Sequence, residues 1–197
     1  MSLVADAARN NAEWCDAYCR AHGVPGTFGD LLWSSARRTP PFYPDAVTLQ
    51  PRVAADAVLR AVDAGEGCSV KDSFADLDLT AASFAVLFEA EWIALERASA
   101  APGWEVVPGE VRSPVVAYLR GPDAAAVANR SERVIGLSNV EARDVEAAYA
   151  GAAGLAQTLF GPLPVVGYDR SEALDAAHAA GFVSLASLRV WARRRRA

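Results

Sequence analysis

Residues 134–182 carry the pattern that decides the fold, and they read VIGLSNVEARDVEAAYAGAAGLAQTLFGPLPVVGYDRSEALDAAHAAGF. The apolar run Val134–Val140 predicts a strand. The next segment, Asp144–Phe160, carries apolar residues at helical spacing and ends at Gly161, so it predicts a helix. The apolar run Leu163–Tyr168 lacks alternation, which is typical of a strand covered on both faces.

The flanking residues continue the succession of strands and helices in both directions. Glu172–Ala180 predicts a further helix, with Ser171 as its N-cap and a glycine after its last turn. Apolar and polar residues alternate along Val183–Trp191, which predicts a final strand. On the N-terminal side, Ala124–Ala128 and the strand at 134–140 predict a β-hairpin. Strands that alternate with helices indicate an α/β layered domain.

The N-terminal half has a less regular pattern. Leu3–His22 predicts an amphipathic helix. Ala46–Leu49 and Cys68–Phe74 predict strands, and between them Pro51 can open a helix that runs to about Ala64. The strongly apolar segment Ala81–Ile93 is interpreted as a helix followed by a strand.

A segment rich in Pro, Gly and Ala at Ala98–Gly109 is the best place for a boundary between two halves. The predicted organisation is therefore an N-terminal half at 1–109 with an extra N-terminal helix and a C-terminal half at 110–193. An Arg-rich tail follows at 194–197.

Composition and charge argue against nucleic acid and membrane as partners. The chain has 197 residues, of which 52% are apolar and 22% charged, as in a globular protein. Its formal charge is −5, with Lys71 as the single lysine, so a nucleic-acid-binding face is disfavoured. No apolar run approaches the roughly 20 residues that span a bilayer, and no signal-peptide pattern is visible. These features predict a cytoplasmic protein without a membrane partner; the oligomeric state is left open, a dimer included.

Three residues near the N-terminus allow two interpretations. Cys15, Cys19 and His22 fall on one face of the predicted helix and are soft ligands for a metal, but a fourth ligand is not obvious. The favoured alternative is that both cysteines pack as small apolar residues in a core, so no metal is predicted.

The order of elements over residues 124–193, together with Gly181-Phe182 after the last helix, resembles the acetyl-CoA-binding half of GNAT acyltransferases. The resemblance implies a mixed central sheet flanked by helices. In that family the fourth strand leads into a helix whose start holds the pyrophosphate of acetyl-CoA, and the fifth strand splays away from the fourth. Here Val134–Val140 would be the fourth strand and Leu163–Tyr168 the fifth.

The resemblance implies acetyl-CoA as co-substrate and assigns its binding residues. A backbone N–H of the fourth strand polarises the thioester carbonyl, and the helix start contacts the phosphates. The implied cofactor-binding residues are Leu137, Ser138, Asn139, Val140, Arg143, Val145 and Ala148.

Several positions depart from the family pattern. Glu146 stands where the phosphate-binding loop has a glycine, and a carboxylate there repels an anion. Arg170 and Ala177 occupy the positions of an Asn and of the Tyr that protonates the departing thiolate.

The catalytic candidates are therefore other residues. Glu141, just past the fourth strand, is a candidate base, whereas Tyr168 and His178 are candidate acids. Tyr149, one turn into the helix, is a further possible acid, and its alternative is a packing role with a bonded hydroxyl. Surface exposure for Glu141 and a packing role for Tyr168 are the alternatives. The first functional hypothesis is a divergent acyl-CoA-dependent N-acyltransferase acting on a small amine. The second is a catalytically inactive GNAT-like domain that serves as a ligand-binding or protein-interaction module.

Overall fold

The computed structural model describes residues 2–100 and 102–193, so the predicted tail at 194–197 lies outside it. Within these residues the chain forms four α-helices, eleven β-strands and one turn of 3-10 helix at Thr80–Ala82. In chain order the helices and strands are α1 (Leu3–Ala21), β1 (Thr27–Phe28), β2 (Leu32–Ser34), β3 (Ala46–Thr48), α2 (Ala55–Ala61), β4 (Ser69–Asp72), β5 (Phe84–Leu95), β6 (Glu105–Val107), β7 (Val116–Gly121), β8 (Ala124–Arg130), β9 (Ile135–Ala142), α3 (Val145–Phe160), β10 (Val165–Asp169), α4 (Ser171–Ala179) and β11 (Val183–Arg193). No helix among the described residues is long and apolar enough to cross a membrane.

These elements form two compact units, each built from segments that are distant in the sequence. The first unit holds the described residues of 2–11 and 91–186, and the second holds those of 12–90 and 187–193. Helix α1 and strands β5 and β11 contribute residues to both units. The sequence halves predicted at 1–109 and 110–193 are continuous segments, whereas each compact unit combines two separate segments. The predicted halves therefore stay a prediction.

The sheet of the first unit has the strand order β5-β10-β9-β8-β7-β6. All its neighbours are antiparallel except β9 and β10, which are parallel. Ile135 and Leu137 of β9 belong to the apolar core beneath α3 and α4, whereas Gly136 between them faces Asn10 of α1. Helices therefore cover both faces of this sheet.

The second unit contains a run of neighbouring strands in the order β1-β2-β3-β4-β11. Only β3 and β4 are parallel neighbours in it. Cys15 and Cys19 of α1 pack with Trp33 and Val47 in one apolar cluster, and α2 belongs to another cluster together with β4.

The predicted fold class, a mixed sheet flanked by helices with an N-terminal helix, is confirmed. The hairpin of β8 and β9 and the span of α3 follow the prediction closely. The helix predicted at the start of Ala81–Ile93 is wrong, because β5 runs as one strand from Phe84 to Leu95. Its Phe, Val, Trp and Ile residues favour a strand, and pairing with β10 stabilises it.

Two predicted helix starts are also wrong. Pro51 does not open α2, because Arg52 has a left-handed backbone with φ of 59° and its N–H binds Asp76. Ser171 is not the N-cap of α4: Arg170 holds that position, and Ser171 has φ of 51°.

Gly136 is required where α1 meets the sheet. A Cβ at this position would lie 1.8 Å from Oδ1 of Asn10 and 2.6 Å from Oδ1 of Asn129. We expect Gly136→Ala to lower the free energy of unfolding by about 2 kcal/mol through overpacking, measured by urea denaturation. Gly29→Ala is the matched control, because its Cβ would make an ordinary 3.5 Å contact. Equal stability of the two variants would contradict this account.

Candidate active site

A gap opens between the two parallel strands of the first unit. Strands β9 and β10 pair only at Val165↔Ile135 and Val166↔Gly136, although both continue for several residues. The last three residues of β10 pair instead with β5 alone. At Gly167 the strands are still close, because a Cβ there would lie 2.9 Å from the carbonyl oxygen of Leu137. Beyond that point two strand edges face each other without forming a ladder.

Strand β9 carries a β-bulge beside this gap. Its register with β8 shifts between Val127↔Ser138 and Ala125↔Glu141, so Asn139 and Val140 together oppose one residue. Asn139 has a left-handed backbone with φ of 53°. A bulge leaves a backbone group outside the ladder and re-aims the strand. The bulge therefore interrupts the ladder between β9 and β8 next to the gap.

Two acidic residues occupy the start of α3. Asp144 is the N-cap, and its Oδ1 accepts a hydrogen bond of 3.0 Å from the N–H of Ala147. Glu146 lies exposed in the first turn. Both carboxylates stabilise the positive end of the helix dipole. The protein's own acids therefore occupy the place where an anion would otherwise bind.

Tyr149 and Asp169 connect α3 to the end of β10. The Tyr149 hydroxyl donates to Oδ2 of Asp169 at 2.5 Å, and the ring packs edge-on against Phe182. Burial first, and then the hydrogen bond to Asp169, raise the pKa of Tyr149 far above its usual value. Tyr149 therefore keeps its proton and serves as a donor to the carboxylate. The other oxygen of Asp169 accepts from the N–H of Arg170 at 3.0 Å.

Asp169 and the bulge residue Asn139 lie at equal sequence distances from the last parallel pair, one on each strand beside the gap. The last parallel pair is Val166↔Gly136. Three residues further along each strand are Asp169 on β10 and Asn139 on β9. The gap is thus bordered by the bulge on one strand and by the carboxylate-bearing Asp169 on the other.

Backbone strain is present on both sides of the same gap. Among the described residues of the first unit, three non-glycine residues have a positive φ. They are Asp123 in the β7–β8 turn, Asn139 and Ser171. Such conformations cost free energy and cluster at functional sites. Ser171 begins α4 directly after Asp169 and Arg170, so both strained residues adjoin the gap.

The predicted cofactor-binding residues lie in one continuous stretch beside the gap. Leu137 is buried in the core, Ser138 and Val140 are half-buried, and Asn139 is exposed. At the start of α3 the set continues with Arg143, Val145 and Ala148, of which only Arg143 is exposed. No ligand tests their role, so the assignment stays a prediction.

The predicted catalytic residues have three separate environments. Glu141 lies past the bulge, in an open groove of about 660 Å³ that Arg120 and Arg143 also line. The half-buried ring of Tyr168 packs edge-on against Trp92 at 5.5 Å between centroids. His178 lies in the last turn of α4, with Nε2 2.9 Å from the hydroxyl of Ser184. Their catalytic roles stay predictions.

Asp169 is the residue that the sequence analysis missed. It ends a buried strand and directly precedes a helix, and ligands of α/β sheets bind outside the carboxyl ends of such strands. That signal was present in the sequence. Ala177, at the position of the family's tyrosine, is fully buried in the core.

A further concave region adjoins the first turns of α3. A cavity of about 400 Å³ is bordered by small residues of the first two turns of α3, by Asp144 and by the ring of Trp104. Trp104 packs closely on Gly121 and Gly151, where a Cβ would lie within 2.3 Å of the indole. Its lining is mainly apolar.

The cysteines occupy core positions. Cys15 and Cys19 are buried, and the ring of His22 stacks on Tyr18 at 4.2 Å. Among residues 2–100 and 102–193 no group of three or more His, Cys, Asp or Glu side chains could hold a metal ion. Burial raises the pKa of Cys15 and Cys68 to about 11 and that of Cys19 to about 12.

Comparison with known proteins supports the fold. No protein-family model matches the sequence, and no curated protein matches it. The crystal structure of a protein assigned as an acetyltransferase of the GNAT family, from Novosphingobium aromaticivorans DSM 12444, is similar over 95% of this chain and 99% of that chain. The TM-score is 0.56 at 11% sequence identity. A GCN5-related N-acetyltransferase from Sphaerobacter thermophilus gives a TM-score of 0.43 at 10% identity, over 69% of this chain and 62% of that chain.

The chain therefore has the fold of a GNAT acetyltransferase. The resemblance drawn from residues 124–193 is confirmed at the level of fold.

The N-cap at Asp144 yields a stability prediction. We expect Asp144→Ala to lower the free energy of unfolding by about 1 kcal/mol, because the N–H of Ala147 loses its acceptor. The measurement is urea denaturation. Asp175→Ala, at an exposed position within α4, is the control and should change stability by less than about 0.5 kcal/mol. If Asp175→Ala lowered the free energy of unfolding as much as Asp144→Ala does, the capping role would be refuted.

The buried thiols yield a reactivity prediction. At pH 8 the three cysteines of the native protein should resist an aromatic disulfide reagent, and all three should react in denaturant. Because the unfolded chain releases thiol protons from about pH 9 and the folded chain only from about 11, stability should fall as pH rises through that window. Rapid labelling of the native protein would contradict the burial of these side chains.

Proposed function

We propose that this protein is a divergent acyl-CoA-dependent N-acyltransferase that acts on a small amine. The observation that carries the proposal is the gap between β9 and β10, with a bulge on one edge and a carboxylate on the other. Acyl transfer needs a donor for the developing oxyanion and a group that moves protons. Both kinds of group adjoin the gap.

Residues of the first unit supply the binding functions in this proposal. Backbone N–H groups near the bulge, at 138–140, bind the thioester carbonyl and stabilise negative charge on its oxygen. Acetyl-CoA supplies the activated acyl group. Arg143, exposed immediately before the cap of α3, is the cation best placed for its phosphates.

The start of α3 fits the phosphates poorly. Asp144 already satisfies one helix N–H, and Glu146 adds a second negative charge in the first turn. Both acids oppose an anion at the position where the resemblance places the pyrophosphate. We therefore expect weak CoA binding that depends on Arg143 and is limited by Glu146.

The same acids favour the second candidate function, a catalytically inactive GNAT-like module. In that case the gap binds another ligand or a protein segment, and the carboxylates serve only the stability of α3. Acetyl-CoA binding separates the two candidates.

We expect acetyl-CoA to bind saturably in isothermal titration calorimetry at low salt. Glu146→Gln should tighten binding by about two- to fivefold, because it removes a like charge beside the phosphates, and Arg143→Gln should weaken binding by a similar factor. Glu132→Gln is the matched control, since this exposed glutamate lies in the β8–β9 turn at the other end of the strands.

The same titration can exclude the proposal. Absence of heat and of any thermal shift at millimolar acetyl-CoA would exclude the transferase and favour the inactive module. Equal effects of Glu146→Gln and Glu132→Gln would show that the ligand binds away from α3.

A further inference from the structure

The side chains around the gap differ in their capacity to move a proton. Tyr149 is held protonated, since burial and Asp169 raise its pKa. Ala177 offers no proton at all. The ring of Tyr168 packs on Trp92, and His178 is near Ser184 in the last turn of α4. Among these side chains, Asp169 is the one that both adjoins the gap and accepts hydrogen bonds as a carboxylate.

Two hydrogen bonds fix the carboxylate in place. Oδ2 accepts from the Tyr149 hydroxyl and Oδ1 from the N–H of Arg170. A carboxylate oxygen has two lone pairs, so each oxygen retains capacity for a further proton or donor. Asp169 is half-buried, so this remaining capacity lies at the border between protein and gap.

We propose that Asp169 is the proton-transfer residue of the acyl transfer, and that Tyr149 is its positioning residue. This inference rests on the proposed function. The amine nitrogen forms a bond to the thioester carbon, and the carbonyl π electrons move to the oxygen, which backbone N–H groups at the bulge stabilise. Asp169 takes the excess proton from the nitrogen. The carbonyl re-forms, the C–S bond breaks, and the same proton passes from Asp169 to the thiolate sulfur. The products are an amide and a free thiol.

One carboxylate therefore serves first as base and then as acid. Asp169, like the bulge residue Asn139, lies three residues past the last parallel pair, so the proposal puts the carboxylate across the gap from the bulge. Tyr149 contributes by holding one carboxylate oxygen on the α3 side. The proton on Tyr149 stays in place throughout.

The test compares binding and turnover in the full chain. Acetyl-CoA binding is measured by calorimetry, and thiol release from acetyl-CoA is followed with putrescine, tyramine or water alone as acceptor. We expect Asp169→Asn to bind acetyl-CoA within about twofold of wild type and to release thiol at least about a hundredfold more slowly. Asp169→Glu should restore part of the rate. Asp175→Asn, at an exposed position on α4, should behave as wild type.

Tyr149→Phe tests the positioning role. It should lower kcat about tenfold and leave the KM for acetyl-CoA unchanged, since it removes a contact to the carboxylate and none to the thioester. Circular dichroism checks the fold of each variant, and Asp169→Glu and Tyr149→Phe keep the test decisive if Asp169→Asn does not fold.

The outcomes separate this inference from the function on which it rests. If wild type does not bind acetyl-CoA, the proposed function fails, and the role of Asp169 fails with it. If wild type binds and releases thiol while Asp169→Asn keeps more than a third of the rate, only the role of Asp169 is overturned. Binding without thiol release in wild type would also overturn it and would favour the inactive module.

Discussion

The early end of pairing between β9 and β10 is the constraint on which the rest of the site depends. Strand β10 pairs with β5 over five residues but with β9 over only two. The bulge at Asn139 and Val140 bends β9 where the ladder to β10 has already ended. A strand that lost pairing on one side without another neighbour would fray. Here β5 pairs with β10 and β8 pairs with β9, so both strands stay in the sheet beyond the end of their mutual pairing.

Charge at the start of α3 determines how this gap can be used. A helix start attracts anions because its first N–H groups lack partners. In this chain Asp144 satisfies one of them, and Glu146 adds a further negative charge. Stability of α3 and affinity for phosphates therefore oppose each other. The strands keep the GNAT fold, whereas the carboxylates at the start of α3 stabilise the helix itself.

The sequence predicted the C-terminal elements well, because residues 134–182 combine clear periodicity with caps and breakers. It failed at β5, since a run such as Phe84–Leu95 has no alternation and its type depends on pairing with the distant β10. It could not reveal the bulge, which is a register shift against β8. It also missed Asp169, whose importance arises from its bond to Tyr149, 20 positions away. Propensity and spacing describe local order, whereas these features arise from contacts between elements.

Ala177 stands where the GNAT pattern has a tyrosine, and it is enclosed by other side chains of the core. Ala177 is fully buried in the same cluster as Tyr149 and Phe182, and those two rings contact each other edge-on. A tyrosine would need more volume than the fully buried position 177 provides, because protein cores are close-packed. The phenol in this region therefore comes from α3 instead of α4, and its hydroxyl is bonded to Asp169. Since the phenol keeps its proton, the proposed mechanism assigns proton transfer to the carboxylate.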